Sequence, residues 1–161
     1  MKTTLASIIL TLTSALAAPT AAPQSSDPNP YPYSIDQITL YHLIESNTWD
    51  LTISVTPRGP YSDATGPTFT CHSAWNDGAT TVGREVCANA AYSFWLPNGA
   101  TNPDDSWAVV VDGPSGEAEG VVEYGPRYSC GEYTGDIGNI DRECVTRNGG
   151  WFFLKEAEAD A

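Results

Sequence analysis

Two histidines are the side chains of this sequence best suited to acid–base chemistry. His42 is followed three residues later by Glu45. His72 precedes Arg84 and Glu85 in the same cysteine-bounded stretch. Histidine, glutamate and arginine together form the acid–base sites of small secreted ribonucleases, but a histidine on the polar face of a strand is most often a surface residue. We therefore predict no catalytic residue here. A small secreted hydrolase, either a ribonuclease or a glycosidase, is kept as the alternative to a non-enzymatic protein.

Two pairs of carboxylates are the other candidates for hydrolysis, because glycosidases use two acidic side chains at a defined separation. Asp104 and Asp105 lie in the sequence N-P-D-D, where acidic residues favour a turn. Glu117 and Glu119 lie close to glycines and a proline, which indicates a solvated loop. The pattern does not give the spatial separation of either pair, so it predicts no glycosidase site.

Metal sites are not predicted by the spacing of the acidic residues and cysteines. The segment Asp136–Glu143 offers oxygen ligands of the kind that calcium prefers, but it does not match the twelve-residue EF-hand spacing. No C-x-x-C pair is present, and His72 would point to the opposite strand face from Cys71, which argues against zinc. We therefore expect neither a metal nor another cofactor.

Aromatic side chains are abundant, with five Trp and eight Tyr. Most of them are expected in the core, since aromatic residues pack well in strands. A share of such residues can instead offer a surface to sugar rings or flat phenolic compounds. Trp75, which we place in a loop after Cys71, is the residue least expected in the core. His72 and Trp75 are therefore the predicted ligand surface.

Residues 1–17 have the pattern of a secretory signal peptide. Lys2 supplies the positive start, a short apolar run follows, and the segment from Ala15 to Ala17 forms a small-x-small cleavage site. The apolar run is too short to span a membrane, so we expect a secreted protein that is released rather than anchored. The extracellular environment is oxidising, so disulfides formed by the four cysteines would persist there.

The excess of acidic residues limits the partners that the chain can bind. Seven basic and twenty acidic residues give a formal net charge of −13. Removing Lys2 with the signal peptide leaves six basic residues and a net charge of −14. Phosphate binding needs clustered Lys and Arg, so we expect neither a nucleic acid nor an anionic membrane as partner.

Four cysteines, all after the signal peptide, allow three disulfide pairings. Pairing of neighbours would join Cys71 to Cys87 and Cys130 to Cys144, and it would close two short loops within hairpin-like units. Each such disulfide would stabilise the fold by about 3 kcal/mol, on the view that it restricts the unfolded chain.

Short strands separated by turn signals make up most of the chain. Residues 18–34 carry five prolines and are expected to form a flexible, partly polyproline-like arm. Residues 35–155 contain about ten strand patterns with turn signals every 8–12 residues or so, and residues 156–161 form an acidic tail. We therefore predict an all-β domain, a single antiparallel β-barrel or barrel-like sandwich. The barrel is favoured because closure removes exposed strand edges. The chain has few lysines, which are the residues that usually protect such edges from pairing with another chain.

The first strand pattern runs from Ile35 to Ile44 and contains one conflict. Ile38, Leu40 and His42 would share one strand face, where a histidine is out of place among apolar side chains. A bulge or a strand end near His42 is therefore predicted.

The order of these strands and cysteines resembles a known family. The first half contains I-T-L-Y-H-L-I-E, then L-T-I-S-V-T, then T-F-T-C with a second cysteine further on. The second half contains V-V-E-Y-G-P-R-Y-S-C, then D-R-E-C-V-T-R and a closing W-F-F-L. From about Ile35 to Leu154 the chain resembles the Alternaria major allergen (allergen 1) family of small secreted fungal β-barrel proteins. The order of the two closely spaced cysteine pairs is the specific part of the likeness.

The resemblance implies a secreted β-barrel whose disulfides join Cys71 to Cys87 and Cys130 to Cys144. Members of the family are allergens, some act on plants as elicitors or effectors, and some contact host thaumatin-like defence proteins. No enzymatic activity is established for them. The resemblance thus implies a non-enzymatic protein that binds a host extracellular defence protein. A small phenolic ligand, expected from the aromatic residues, is the other predicted partner. A structural protein of the cell wall is a third possibility.

Two departures from the family limit what the resemblance implies. The allergen has an additional cysteine ahead of the first strand that links a dimer, and residues 18–34 contain none here. We therefore expect a monomer or a non-covalent dimer. Leu43, Ile44 and Glu45 stand where the allergen has basic residues, so partner binding through that segment is not expected.

Overall fold

Ten β-strands make up the regular structure of the chain. The structure is a computed structural model that describes residues 31–59, 63–80, 82–99, 105–147 and 149–157. The strands are β1 (Tyr33–Leu43), β2 (Thr48–Pro57), β3 (Phe69–Asn76), β4 (Val82–Val86), β5 (Ser93–Leu96), β6 (Trp107–Gly113), β7 (Gly116–Val122), β8 (Tyr128–Glu132), β9 (Ile140–Thr146) and β10 (Phe152–Glu156). Over these ranges the chain forms no helix, and so none that is long and apolar enough to cross a membrane.

The predicted domain boundaries can be compared with the structure only in part. The predicted signal peptide (1–17) and residues 18–30 of the predicted arm lie outside the described residues, as do residues 158–161 of the predicted acidic tail. β1 begins at Tyr33, two residues ahead of the predicted start of the domain, and β10 ends at Glu156. Tyr33 is fully buried, which explains why the strand extends that far.

Alternation of apolar and polar side chains explains why these segments are strands. In β2 the side chains of Leu51, Ile53 and Val55 are fully buried, while Thr52 and Ser54 between them are half-buried. β3 alternates between buried and exposed residues along its whole length. β6 is buried at five consecutive positions, so both of its faces are covered.

The strands form one antiparallel sheet that curls into a nearly closed barrel. The order of hydrogen-bonded neighbours is β3-β2-β1-β10-β7-β6-β5-β4, and all ten strands contribute buried apolar side chains to the interior. The two end strands, β3 and β4, are joined by the disulfide between Cys71 and Cys87. Beside it, the backbone N–H of Ala88 donates to the carbonyl oxygen of Thr70 at 2.8 Å. The prediction of an all-β antiparallel barrel of about ten strands is confirmed.

β1 pairs with three strands, because its two halves have different neighbours on one side. Its start pairs with β10 at Tyr33, and its end pairs with β9 from Thr39 to Leu43. β9 in turn pairs with β8, whose other edge has no partner strand among the described residues. The sheet therefore divides into a β10–β7 branch and a β9–β8 branch. The loop from Glu123 to Arg127 connects the two branches, since it joins β7 to β8.

The irregularity predicted near His42 is confirmed. The β1–β9 register shifts after His42, which pairs with Arg142, whereas Leu43 pairs with Ile140. Asp141 is the additional residue on β9, as a bulge requires. This bulge explains how the carboxylate of Asp141 reaches the ring of His42 from the neighbouring strand.

The two disulfides join neighbouring cysteines, which confirms the pairing that the resemblance implies. Cys130 and Cys144 lie directly opposite each other in the β8–β9 pair, so this disulfide links strands that already share hydrogen bonds. The disulfide between Cys71 and Cys87 instead links β3 to the end of β4, two strands with no ladder between them. The disulfide between Cys130 and Cys144 therefore reinforces a strand pair, and the disulfide between Cys71 and Cys87 closes the barrel.

Candidate functional site

The predicted ligand surface of His72 and Trp75 does not exist as a single surface. Both residues lie in β3, three positions apart, so their side chains point to opposite faces of the strand. Trp75 is only 7% exposed and belongs to the core, because β3 continues to Asn76 instead of ending in a loop. The prediction for Trp75 is therefore wrong.

His72 does lie on the surface, where it faces a single carboxylate. Its Nε2 lies 3.1 Å from both carboxylate oxygens of Asp50 on β2. The side chain is 59% exposed and lines none of the three cavities described below. An exposed pair of this kind contributes little to stability, and the groups around it form no site.

His42 is the histidine with a defined setting. Its Nδ1 lies 2.7 Å from Oδ1 of Asp141, and its ring packs on Trp49 with 4.7 Å between the ring centroids. Its Nε2 is buried and has no hydrogen-bond partner among the described residues. Glu45, the predicted partner, is exposed, and Asp141 takes its place. Neither ring nitrogen of His42 is free to exchange a proton with a ligand, which acid–base catalysis requires.

A cavity of about 530 Å³ lies beside this pair. It is lined by Gly131, Glu132, Tyr133, Asp141 and Arg142. Glu132 lies directly opposite Arg142 in the β8–β9 pair. The lining therefore combines two carboxylates, a phenol and a guanidinium, which are groups that hydrolases use, but the adjacent histidine offers it no free nitrogen.

Arg84, the predicted partner of His72, is engaged elsewhere on the barrel. Its guanidinium lies 2.6 Å from a carboxylate oxygen of Asp112 and 3.6 Å from one of Glu117. The same group stacks over the ring of Trp95 at 4.0 Å from the ring centroid. Arg84 therefore forms no common site with either histidine.

Among the described residues, the remaining acidic candidates form neither a carboxylate pair in a cavity nor a metal site. Glu85, Asp105 and Glu119 are exposed and line none of the three cavities. Asp104 lies outside the described residues. The segment Asp136–Glu143 runs from a turn into β9. In the part of the chain that the structure describes, no group of three or more His, Cys, Asp or Glu is arranged to hold a metal ion.

A second cavity, of about 500 Å³, combines aromatic rings with arginines. It is lined by Pro126, Arg127, Arg147, Gly149, Gly150, Trp151 and Phe153, and we call it the aromatic–arginine groove. The groove is open to solvent, since Trp151 is 49% exposed and Phe153 is 40% exposed. Sequence reasoning did not select any residue of this groove.

The β8–β9 pair positions the two arginines of the groove. Tyr128 lies opposite Thr146 at the end of the ladder, and Arg127 and Arg147 are the next residues outward. The backbone N–H of Arg147 donates to the carbonyl oxygen of Arg127 at 2.8 Å, so the pairing continues by one step. Side chains opposite each other in an antiparallel pair lie on the same face. Arg127 and Arg147 both line the groove, as side chains on one face of a sheet do.

Gly150 lets the turn after β9 approach Arg127 closely. Its N–H donates to the carbonyl oxygen of Arg147 at 3.0 Å. A Cβ atom at this position would lie 2.9 Å from both Cβ and the carbonyl oxygen of Arg127. A glycine is therefore needed where the chain passes from the arginines to Trp151.

An aromatic wall forms the other side of the groove. Phe153 lies between Tyr31 and Trp151, with ring-centroid distances of 5.6 Å and 6.4 Å. The guanidinium of Arg58 lies over the Trp151 ring at 5.5 Å from its centroid. Arg58 is itself held by Asp36 at 3.1 Å. The Trp151 ring is thus supported on one face while about half of the side chain stays exposed.

Charge distinguishes this groove from the rest of the surface. Arg58 and Arg84 are each paired with a carboxylate. No Asp or Glu among the described residues lies within 4.0 Å of the guanidinium nitrogens of Arg127 or Arg147. Like charges opposite each other in a β pair are destabilising. Two adjacent arginines without a carboxylate partner, in a chain of net charge −13, are therefore not explained by the stability of the barrel.

A smaller cavity, of about 260 Å³, shares Pro126 and Arg127 with the groove. Eight large hydrophobic side chains are exposed among the described residues, and five of them line or border these two cavities. The five are Tyr31, Val121, Tyr124, Trp151 and Phe153. Exposed apolar groups therefore concentrate where the sheet divides, which is typical of an interaction surface.

The sequence did contain a signal for this groove. Arg127 stands three residues before Cys130, and Arg147 stands three residues after Cys144. Once those two cysteines are paired across a hairpin, equal counting outward places the arginines opposite each other. What spacing alone did not show is that Trp151 and Phe153 border the same groove.

Comparisons with protein-family models, with curated proteins and with solved structures found no match. The fold and the site define the class of protein: a small, disulfide-bonded antiparallel β-barrel with an open aromatic–arginine groove on its surface. Membership of the allergen 1 family stays a prediction from the sequence.

Proposed function

We propose that the chain is a secreted, non-enzymatic protein of the allergen or elicitor-effector type, which binds a host or environmental partner through the aromatic–arginine groove. One observation carries the proposal: exposed Trp151 and Phe153 lie beside Arg127 and Arg147, and no carboxylate of the described residues pairs with these arginines. Aromatic and arginine side chains are the residues most enriched at binding surfaces. A partner explains their exposure better than the stability of the barrel does.

The partner in this proposal is a host extracellular defence protein or a small phenolic ligand. The net charge of −13 argues against a nucleic acid or an anionic membrane. Two disulfides are consistent with an extracellular protein, and the proposal of secretion rests on the predicted signal peptide. All four cysteines are paired within the chain, so the proposed form is a monomer or a non-covalent dimer.

Binding measurements on the purified protein test the proposal. The immobilised protein is exposed to host apoplastic extract and, separately, to a panel of phenolic compounds. We expect a saturable partner whose binding is lost in Trp151→Ala. Trp95→Ala is the matched control, because Trp95 also stacks against an arginine, Arg84, but lies outside the groove. The absence of any saturable partner, or an equal loss in the two variants, would refute the proposal.

A small secreted hydrolase is the second candidate function. The observation that favours it is the cavity lined by Glu132, Asp141 and Arg142, with His42 bonded to Asp141. The buried Nε2 of His42 weighs against it. Turnover of RNA and of a panel of glycans is the test, with His42→Ala and Glu132→Gln as variants. Turnover that either substitution abolishes would establish a hydrolase, and inactivity of the wild type across the panel would exclude it.

A further inference from the structure

We propose that the ligand of the aromatic–arginine groove is a short acidic saccharide, built of roughly one to three uronic acid residues. This inference rests on the proposed binding through the groove, and it assigns to the groove an acidic saccharide in place of the defence protein or phenolic ligand named above. Three properties of the groove lead to it: the charge of the arginine pair, the shape of the aromatic wall, and the opposite charge of the rest of the chain.

The arginine pair favours an anionic ligand. Arg127 and Arg147 lie opposite each other one step beyond the β8–β9 ladder, and neither guanidinium has a carboxylate partner among the described residues. A bound carboxylate relieves their mutual repulsion and accepts paired N–H···O bonds from a planar guanidinium. A neutral ligand would leave the repulsion in place.

The aromatic wall, formed by Trp151 and Phe153, favours a ligand with an apolar ring face. Trp151 and Phe153 meet at an interplanar angle of 81°, so they offer two separate faces rather than a slot between parallel rings. Arg58 lies over one face of Trp151, and this tryptophan is still 49% exposed. Small flat ligands are usually enclosed on most of their surface, and this groove encloses little. A half-exposed tryptophan ring suits the C–H face of a pyranose ring, which is covered on one side only.

A uronic acid residue supplies both requirements in one unit. Its pyranose ring can stack on Trp151, and its carboxylate projects from the edge of that ring towards a neighbouring cation such as Arg127 or Arg147. An acidic peptide carries its carboxylates on flexible side chains and presents no rigid ring face beside them. The presence of exposed aromatic rings and two arginines in one groove therefore favours the acidic sugar.

The charge of the whole chain favours a short ligand over a long one. A net charge of −13 repels a long polyanion at a distance, whereas the two arginines attract an anion locally. A cavity of about 500 Å³ also limits what can lie in the groove. A short oligomer therefore binds more favourably, per carboxylate, than an intact polymer.

Calorimetric titration of the full secreted protein with digalacturonate tests the inference. We expect saturable binding that weakens when NaCl rises from about 50 to about 500 mM, because salt screens the contact between ligand and arginine. The methyl ester of the disaccharide, the variant Arg127→Gln/Arg147→Gln and the variant Trp151→Ala should each bind at least about tenfold more weakly. Arg84→Gln is the control and should stay within about twofold of the wild type.

Several results would overturn the choice of ligand. Equal binding of digalacturonate and its methyl ester would show that the arginines do not bind the carboxylate of the ligand. Tighter binding of phenylacetate or of a tetraglutamate peptide would favour an aromatic acid or an acidic peptide instead. An absence of binding by digalacturonate contradicts the ligand class alone; the proposed function fails separately, when no partner of any class depends on Trp151.

Discussion

Arg147 donates its backbone N–H to the carbonyl oxygen of Arg127 at 2.8 Å, one step beyond the last pair of the β8–β9 ladder. This bond sets the backbones of the two arginines opposite each other, and both side chains line the aromatic–arginine groove. Such a pair costs roughly 0.2–1 kcal/mol of stability in a β ladder. The arrangement is unfavourable in the free protein and favourable with an anion bound, which connects the fold to the proposed binding function.

Replacing one of the two arginines should stabilise the free protein. Arg147→Gln removes the repulsion and keeps the backbone hydrogen bond to Arg127, so the free energy of unfolding should rise by about 0.2–1 kcal/mol. Urea unfolding at low salt measures it. Arg84→Gln removes ion pairs with Asp112 and Glu117, so this control should not gain stability. A loss of stability in Arg147→Gln would contradict the prediction.

A methyl group at Gly150 should disturb the groove. In Gly150→Ala the new Cβ would lie 2.9 Å from the carbonyl oxygen of Arg127, and a backbone atom cannot move aside cheaply. We expect a loss of about 1–3 kcal/mol in thermal or urea unfolding, together with weaker partner binding. Gly131→Ala in β8 is the matched control, because a Cβ there meets nothing within 4 Å. Similar losses in the two variants would show that close packing at Gly150 is not the cause.

The two disulfides should differ in what their removal opens. Each should cost about 3 kcal/mol on removal, since the loops they close are of similar length. Replacing Cys71 and Cys87 by alanine should also accelerate amide hydrogen exchange along β3 and β4, because few other contacts close the barrel there. Replacing Cys130 and Cys144 should leave the β8–β9 ladder protected. If amide exchange in β3 and β4 stays unchanged when Cys71 and Cys87 are replaced, the disulfide between them does not close the barrel.

Tyr33 should make the fold sensitive to alkaline pH. Burial raises the pKa of Tyr33 above its ordinary value of 10.0, and the hydrogen bond from the N–H of Ser115 offsets part of this. A raised pKa means that the stability from the neutral phenol is fully present below pH 10 and is lost as the pH rises through the higher folded-state value. Tyr33→Phe also loses the hydrogen bond to the carbonyl oxygen of Gly116, at a cost of about 1 kcal/mol at neutral pH.

The measurement for Tyr33 is urea unfolding of the wild type and of Tyr33→Phe from pH 7 to pH 11. The difference in free energy of unfolding between the two proteins should shrink above pH 10, because only the wild type must keep this phenol neutral. The other tyrosines are common to both proteins and cancel in the difference. A difference that stays constant over this range would contradict the prediction.

Period-two alternation and turn signals predicted most of the barrel, because local pattern determines local strand structure. Leu51, Ile53 and Val55 show this, since their alternation in the sequence is their alternation in burial. The same alternation extends through β3 to Asn76. This alternation places His72 and Cys71 on opposite faces of the strand. It also places Trp75, four residues after Cys71, on the same buried face as Cys71. The prediction of a loop at Trp75 is therefore wrong, and the alternation itself indicates the correct structure.

The groove could not be predicted in the same way, because it depends on contacts between distant parts of the chain. Arg58 supports Trp151 across more than ninety residues, and this contact requires β1 to pair with β2 and β10 at once. The division of the sheet after Ile35 follows from tertiary packing and leaves no periodic signal in the sequence. The positions of the arginines could be derived once the disulfide was known, whereas the aromatic wall could not.

The most direct measurement of binding through the groove is an NMR titration that follows the tryptophan indole N–H signals, assigned by substitution. The titrant is whichever partner or phenolic compound binds the purified protein saturably. Trp151 should shift in proportion to the bound fraction, while Trp95, which stacks on Arg84 away from the groove, should not move. Saturable binding with an unchanged Trp151 signal would contradict the proposed site.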